Sequence, residues 1–137
     1  MDALTPQEID KAHERIFPLI IKTPLISSET INKKTNANVY FKLENLQWTG
    51  SFKLRGASNK ISQLSNEEKS RGIVSYSSGN HAQAVAYASN LFGVQATIIM
   101  PKNAPSIKIE NTKNYGADVV LYDSMHESRE KIALEIA

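Results

Sequence analysis

The sequence predicts an α/β fold: a parallel sheet between helical layers, in a three-layer αβα arrangement. Three observations point to it. Apolar, strand-like runs at 73–76, 95–100 and 117–122 recur about every 22 residues. Helix-length segments at 82–92 and 107–115 separate them, and a helix between successive strands is the connection that parallel neighbours require. The run 95–100 is apolar at nearly every position, as expected of a strand covered on both faces.

The elements follow in order. Thr5-Pro6-Gln7-Glu8 supplies an N-cap, a proline at the first helical position and the glutamate of a capping box, so a helix is expected over Pro6–Arg15. Pro18 ends that region, and Lys22-Thr23-Pro24-Leu25 reads as extended chain. A short helix near Glu29–Lys34 and a strand over Asn38–Leu43 come next. Ser51 is placed as the N-cap of a helix that holds Lys53 in its first turn. Ser65-Asn66-Glu67-Glu68 opens a further helix that ends before Gly72. Strand Ile73–Tyr76, a turn at Ser78-Gly79 and a helix over Ala82–Phe92 stopped by Gly93 begin the regular half. Strand Gln95–Met100 is closed by Pro101, helix Ile107–Tyr115 ends at Gly116, and Ala117–Tyr122 is the third strand. Ser124-Met125-His126-Glu127 is read as the capped start of a final helix, Ser124–Ala137. A boundary is expected near Arg71-Gly72, giving units 1–71 and 72–137. A last strand and helix with no following strand point to truncation.

Composition narrows the function. The chain of 137 residues suffices for one domain, or for one small domain and part of another. Its 16 basic and 14 acidic residues are well mixed, with no basic stripe, so nucleic acid is not an expected partner. Cysteine is absent, which excludes disulfides, thiolate catalysis and cysteine zinc sites. His13, His81 and His126 lie far apart without metal-ligand spacing, so no metal site is expected. The uncharged run Gly72–Pro101 is broken by polar residues such as Ser75, Asn80, His81 and Gln83, which excludes a transmembrane helix. Met1 to Asp10 carries acids and no apolar run, unlike a signal peptide, so the expected compartment is the cytoplasm.

Two segments carry chemistry. In Thr49-Gly50-Ser51-Phe52-Lys53-Leu54-Arg55-Gly56-Ala57, Lys53 and Arg55 stand at the start of a helix with no acid in the first turn. A cation there costs about 0.3–1 kcal/mol against the helix dipole. The same field, with burial, favours the neutral amine that Schiff-base chemistry needs. A lysine whose head bends back into water is the other account. In Ser77-Ser78-Gly79-Asn80-His81-Ala82-Gln83, small polar residues follow a parallel strand and open a helix without a carboxylate. Open α/β sheets bind ligands at that position, and free amides at a helix start attract anions. The plainer alternative is an ordinary capped helix start. A Ser78–His81 hydrolase pair is disfavoured, because neighbours on one turn rarely align nucleophile and base.

Ser51-Phe52-Lys53-Leu54-Arg55-Gly56-Ala57 followed by Ser77-Ser78-Gly79-Asn80-His81-Ala82-Gln83 resembles the fold-type-II, tryptophan-synthase-β-like, pyridoxal-phosphate enzymes. The nearest resemblance is to threonine/serine dehydratases and serine racemases. Lys22-Thr23-Pro24-Leu25, Lys42-Leu43-Glu44, Met100-Pro101-Lys102 and Tyr115-Gly116-Ala117 extend it along nearly the whole chain. The resemblance implies pyridoxal 5'-phosphate as cofactor, joined to Lys53 as a Schiff base. It implies that Phe52 packs on the cofactor ring and that Asn80 hydrogen-bonds its phenolic oxygen. Ser77, Ser78, Gly79 and His81 would hold the substrate carboxylate, largely through backbone amides. Lys53, once released, would remove the α-proton of L-threonine or L-serine, and loss of the β-hydroxyl would lead to a 2-oxo acid and ammonia. Ser78 would supply the second acid/base of a serine racemase, where many dehydratases carry alanine.

A non-catalytic remnant or interaction module is the reading from another class. Trp48 stands where serine racemases tend to carry a basic residue beside a nucleotide effector site. Members of the family are more than twice this length. The glycine-rich phosphate cradle, the partner of the pyridine nitrogen and the metal-binding acids belong to a part not present here. The expectation is therefore an N-terminal portion, inactive alone, that can still present part of a homodimer interface.

Overall fold

Strand β4 (Ala96–Pro101) lies at the centre of a three-stranded parallel sheet in the computed structural model, which describes residues 4–137. Its neighbours are β3 (Ile73–Tyr76) and β5 (Asp118–Tyr122), with Ile99 opposite Tyr76 on one side and Val120 on the other. Side chains alternate across a strand, so the two faces of β4 serve different layers. Ile98 and Met100 enter the main core with the helix α5 (Asn80–Leu91). Ile99 faces the other way, as do Tyr76 and Tyr122 by register. The helix α7 (Arg129–Ile136) covers that face, with Arg129 stacked over the Tyr76 ring at 4.8 Å. Ile98, Ile99 and Met100 are all fully buried, as a central strand between two helical layers requires.

The crossovers are α5 and α6 (Ser106–Asn114), and each ends at a glycine with positive φ, Gly93 at 64° and Gly116 at 92°. Glycine tolerates that left-handed geometry, so the helix stops there and the chain turns into the next strand. α5 is buried on several sides through Ala82, Ala84, Val85, Ala86, Ala88 and Ser89. Small side chains let a second helix approach closely. That helix is α3 (Lys53–Ser62), which inserts Leu54, Ala57 and Ile61 into the same core.

The N-terminal half brackets α3. Helix α1 (Pro6–Ile16) packs on it, and Arg15 donates to Asn59 Oδ1 at 2.9 Å. The strands β1 (Leu25–Ser27) and β2 (Tyr40–Lys42) pair antiparallel, with α2 (Glu29–Thr35) between them. A short 3-10 turn at Glu44–Leu46 follows β2. Glu44 there accepts two hydrogen bonds from Arg55 (2.9 and 2.7 Å) and one from Thr23 Oγ1 (2.5 Å), while Lys42 Nζ donates to the Thr23 carbonyl at 2.6 Å. Both partners of the fork are mostly covered, with side-chain exposures of 16% for Glu44 and 26% for Arg55. The acid absent from the first turn of α3 is thus supplied from outside the helix. The Arg55 bonds first, helped by Thr23, hold the Glu44 carboxyl below the usual carboxylate range despite its partial burial. Helix α4 (Asn66–Arg71), with both bonds of the Ser65–Glu68 capping box formed, leads to Gly72 and β3. The Thr5–Glu8 box on α1 is likewise complete.

Three expectations change. Ser51 does not cap α3: the N-cap is Phe52, already helical at φ −64° and ψ −14°, and the Ser51 hydroxyl is buried without a partner. Two residues ahead of the first helical residue, its hydroxyl bonds none of the free amides of the first turn. Ser124 does not open the last helix, which is capped by Ser128 through the Lys131 amide at 3.3 Å. Asp123 prevents the earlier start by gathering the chain into a turn, its side chain accepting from the Met125 amide and its carbonyl from those of His126 and Glu127. The strand expected over Asn38–Leu43 shortens to Tyr40–Lys42, because Asn32 Oδ1 and Ser27 Oγ take the amide and carbonyl of Val39.

Glu44→Gln is expected to cost about 1–3 kcal/mol at pH 7, by leaving Arg55 without a charged partner. Because the folded-state pKa is depressed, this stabilisation is present above the unfolded value of about 4.3 and is lost as pH falls through the folded one. Urea unfolding of both proteins should therefore show a gap at neutral pH that closes in acid. A gap independent of pH would show that the charge of Glu44 is not what matters.

Candidate active site

Lys53 is the first residue of α3, and its position is set from both sides. Before it, Gln47 clamps the chain to Ile21, accepting from the Ile21 amide (2.9 Å) and donating to the Ile21 carbonyl (3.0 Å). Gly50, at φ 69°, then turns the loop into the helix, its amide bonded to the Gln47 carbonyl at 2.7 Å. After it, the fully buried Leu54 pins the helix to the core. Lys53 itself is exposed, so the burial expected to act on its amine is absent here. Its Nζ sits 4.9 Å from the centroid of the Phe52 ring, a cation–π distance, and that ring is 58% exposed.

The segment 77–81 leaves the C-terminal end of β3. The Ser77 amide donates to the Ile99 carbonyl (3.1 Å), and Ser77 Oγ accepts from the Gly79 amide (3.2 Å). α5 starts at Asn80, two residues earlier than the sequence suggests, with Gly79 as an N-cap that offers no side chain. Its first turn contains no acid. The first amides of a helix have no partner within it, so Asn80, His81 and Ala82 present N–H groups and the positive end of the dipole together. Asn80 reaches sideways: its Oδ1 accepts from Lys108 Nζ at 2.7 Å.

Two grooves flank this turn. The larger, about 460 Å³, runs between α3–α4 and β3–α5 and is lined by Gly56, Ile61, Ile73, Val74, His81 and Val85, among others. His81 is exposed by surface area, yet its imidazole stands against this groove. Partial desolvation first, and the Lys53 ammonium second, hold it below the usual histidine range. The Lys53 charge thus acts at the start of α5, although 28 positions separate the two residues in the chain. The second groove, about 320 Å³, lies at the C-terminal ends of the three strands, lined by Ser77, Ser78, Pro101, Ala104, Tyr122 and Arg129, among others. That is the edge of an open parallel sheet at which ligands bind. The structure therefore places His81 on one groove, within reach of the Lys53 charge, and Ser77 and Ser78 on the other, with Gly79 and Asn80 at the helix start between them.

Two residues at the site escaped the sequence reading. Arg129 seemed to lie inside a longer helix; the later start of α7 carries its guanidinium to the strand ends. Lys108 carries no motif that singles it out in the sequence. The available signal was that α6, like α5, has no acid in its first turn. Among the described residues, no group of three His, Cys, Asp or Glu side chains is placed to hold a metal, and no helix is long and apolar enough to cross a membrane.

A family model described as pyridoxal-phosphate dependent enzyme matches residues 16–137. The chain is 46% identical over 133 residues to a serine racemase of Schizosaccharomyces pombe, covering 97% of this chain and 41% of that protein. It is 54% identical over 115 residues to a catabolic L-threonine dehydratase of Staphylococcus aureus, covering 83% and 33%. The solved structure of a maize serine racemase superposes with a TM-score of 0.93 at 43% identity, over 98% of this chain and 41% of that one. The chain thus spans about two fifths or less of the length of these relatives.

Replacing Lys53 by Met should raise the pKa of His81 while leaving it below the ordinary histidine value, because desolvation, the larger cause, remains. A histidine NMR titration reads this directly, and an unchanged His81 would place the Lys53 charge out of reach of the α5 turn.

Proposed function

Because this chain belongs to the family of pyridoxal-phosphate dependent enzymes, we propose that it carries the lysine and the substrate-carboxylate turn of an ammonia-lyase acting on L-threonine or L-serine. The observation that supports this most is the placement of Lys53, at the start of one helix, beside the acid-free start of another, close enough for its charge to act on His81. In this reading residues 1–71 carry the lysine and residues 72–137 form the substrate-binding βαβ unit. The setting is cytoplasmic and homodimeric.

The residues present fit the aldehyde and ring half of the cofactor. Lys53 offers an exposed primary amine, Phe52 an open aromatic face, Asn80 an amide, and the acid-free start of α5 the N–H groups of Asn80 and His81 for a carboxylate. The phosphate half differs: the six glycines stand at 50, 56, 72, 79, 93 and 116, too dispersed to make a glycine-rich cradle. When bound, the cofactor draws the electrons of the breaking Cα–H bond into its ring. Lys53 would hold the cofactor through its amine and, when free, would take the α-proton at Nζ. Ser77, Ser78, Gly79 and His81, largely through backbone amides, would orient the substrate carboxylate, with Ser77 Oγ holding the turn through the Gly79 amide. His81, held towards the neutral form, adds little positive charge beside Lys53. Departure of the β-hydroxyl and hydrolysis then give the 2-oxo acid and ammonia.

Racemisation is the second reading. Ser78 favours it: the residue is exposed on the turn, and a hydroxyl there is suited to returning a proton from the face opposite the lysine.

Pyridoxal phosphate followed by borohydride should label Lys53 in the purified protein, as read by peptide mass mapping; label spread over many of the lysines would sink the assignment. In a longer protein that carries this segment, Lys53→Ala should reduce 2-oxo-acid release from L-serine or L-threonine by at least about a thousandfold, consistent with loss of both attachment and base. If Lys53 labels but no oxo acid or D-serine forms, the non-catalytic reading stands. Ser78→Ala should spare dehydration and abolish any D-serine formation; racemisation that survives would remove Ser78 as the second acid/base.

A further inference from the structure

Asn80 and Lys108 are 28 positions apart, yet they meet where the first turns of α5 and α6 come together, with Lys108 Nζ 2.7 Å from Asn80 Oδ1. An ammonium only donates hydrogen bonds, so it admits one orientation of the Asn80 amide, with the oxygen towards Lys108 and the NH2 group turned away. One turn further on, Asn111 Nδ2 donates to Gln83 Oε1 at 3.0 Å. Asn80 and Gln83 are neighbours on one face of α5, as Lys108 and Asn111 are on α6. α6 therefore grips two α5 amides by their oxygens. Gln83 is 2% exposed, and its Oε1 accepts from Asn111 while its Nε2 has no partner among the described residues. Thr112, fully buried, bonds the Lys108 carbonyl at 2.7 Å and steadies the turn of α6 that carries the lysine.

We propose that Lys108 is a positioning residue for the cofactor: it fixes and polarises the Asn80 amide so that Nδ2 is presented as a donor to the anionic phenolic oxygen. The inference rests on the reading above, in which Asn80 meets that oxygen. A bond from a charged donor is about twice as strong as a neutral one, and it draws electron density from the amide, which strengthens the N–H on the other side. Lys108 would also set a positive charge behind the Asn80 amide, one side chain removed from the phenolic oxygen.

The test compares Asn80→Ala, Lys108→Met, Lys108→Arg and the Asn80→Ala/Lys108→Met pair in the holoenzyme. It reads the visible absorption band of the bound cofactor and the dissociation constant for pyridoxal phosphate. Asn80→Ala should shift the band and weaken binding by about tenfold, the scale of one hydrogen bond to a charged group. Lys108→Met should shift the band the same way and weaken binding about two- to fivefold, and Lys108→Arg should restore most of both. In the Asn80→Ala background, Lys108→Met should add nothing, which is the mark of action through Asn80. Equal effects of Lys108→Met with and without Asn80, or no effect in either, would overturn the positioning role while leaving the Asn80 assignment standing. An unmoved band in Asn80→Ala would overturn that assignment and the inference with it. Should Lys108→Met lose its circular-dichroism signal, Lys108→Gln, which keeps a neutral donor, replaces it and should give a smaller shift in the same direction.

Discussion

The contact between α3 and α5 is the constraint on which the site depends. Leu54, Ala57 and Ile61 recur at helical spacing along α3 and pack on a side of α5 made largely of alanine. A helix that buries one stripe has no rotational freedom left, so the position of Leu54 in the core dictates where the preceding residue stands. Lys53 is thereby held at the start of α3, where its charge reaches His81. The alanines keep α3 close enough for the two helix starts to share one local environment.

Electrostatics adds a second layer. The first turns of α3, α5 and α6 all lack acids, whereas those of α1 and α4 follow the usual rule with a capping glutamate. The exceptions cluster around the 77–81 turn. Three uncompensated helix starts make a region suited to anions, at a cost of about 0.3–1 kcal/mol for each cation placed there. Part of that cost is offset at a distance: Glu44 forks onto Arg55 and ties α3 to Thr23 ahead of β1. Arg55 is thereby committed to structure, while Lys53, with no ion-pair partner among the described residues, is left for chemistry.

The regular half was legible because its signals are local. Periodic apolar runs located β3 without error, β4 within a residue at either end and β5 within one at its start, while Gly93 and Gly116 marked the helix ends through a backbone geometry that favours glycine. Helix starts were less legible. Thr5 and Ser65 cap as expected, each with its glutamate bonding back to the cap, whereas Ser124 has the same spacing to Glu127 but loses that glutamate to the Asp123 amide, and Ser51 lies one residue ahead of the actual cap. Phe52 entered the helical region first in one case, and Asp123 captured the backbone in the other. These are contests between neighbouring hydrogen bonds, and residue type alone does not decide them.

By itself, the sequence determined the parallel βαβ order, the acid-free turn from Ser77 to His81 and the unusual place of Lys53 at a helix start. All of these follow from spacing and from interactions within about one turn of chain. The tertiary structure alone decided that Lys53 acts on His81, that Glu44 partners Arg55, that Lys108 grips Asn80 and that Arg129 reaches the strand ends. The physical reason is that each of these joins elements far apart in sequence. Their meeting depends on how closely the helices pack and on where each helix begins, and no local pattern records either.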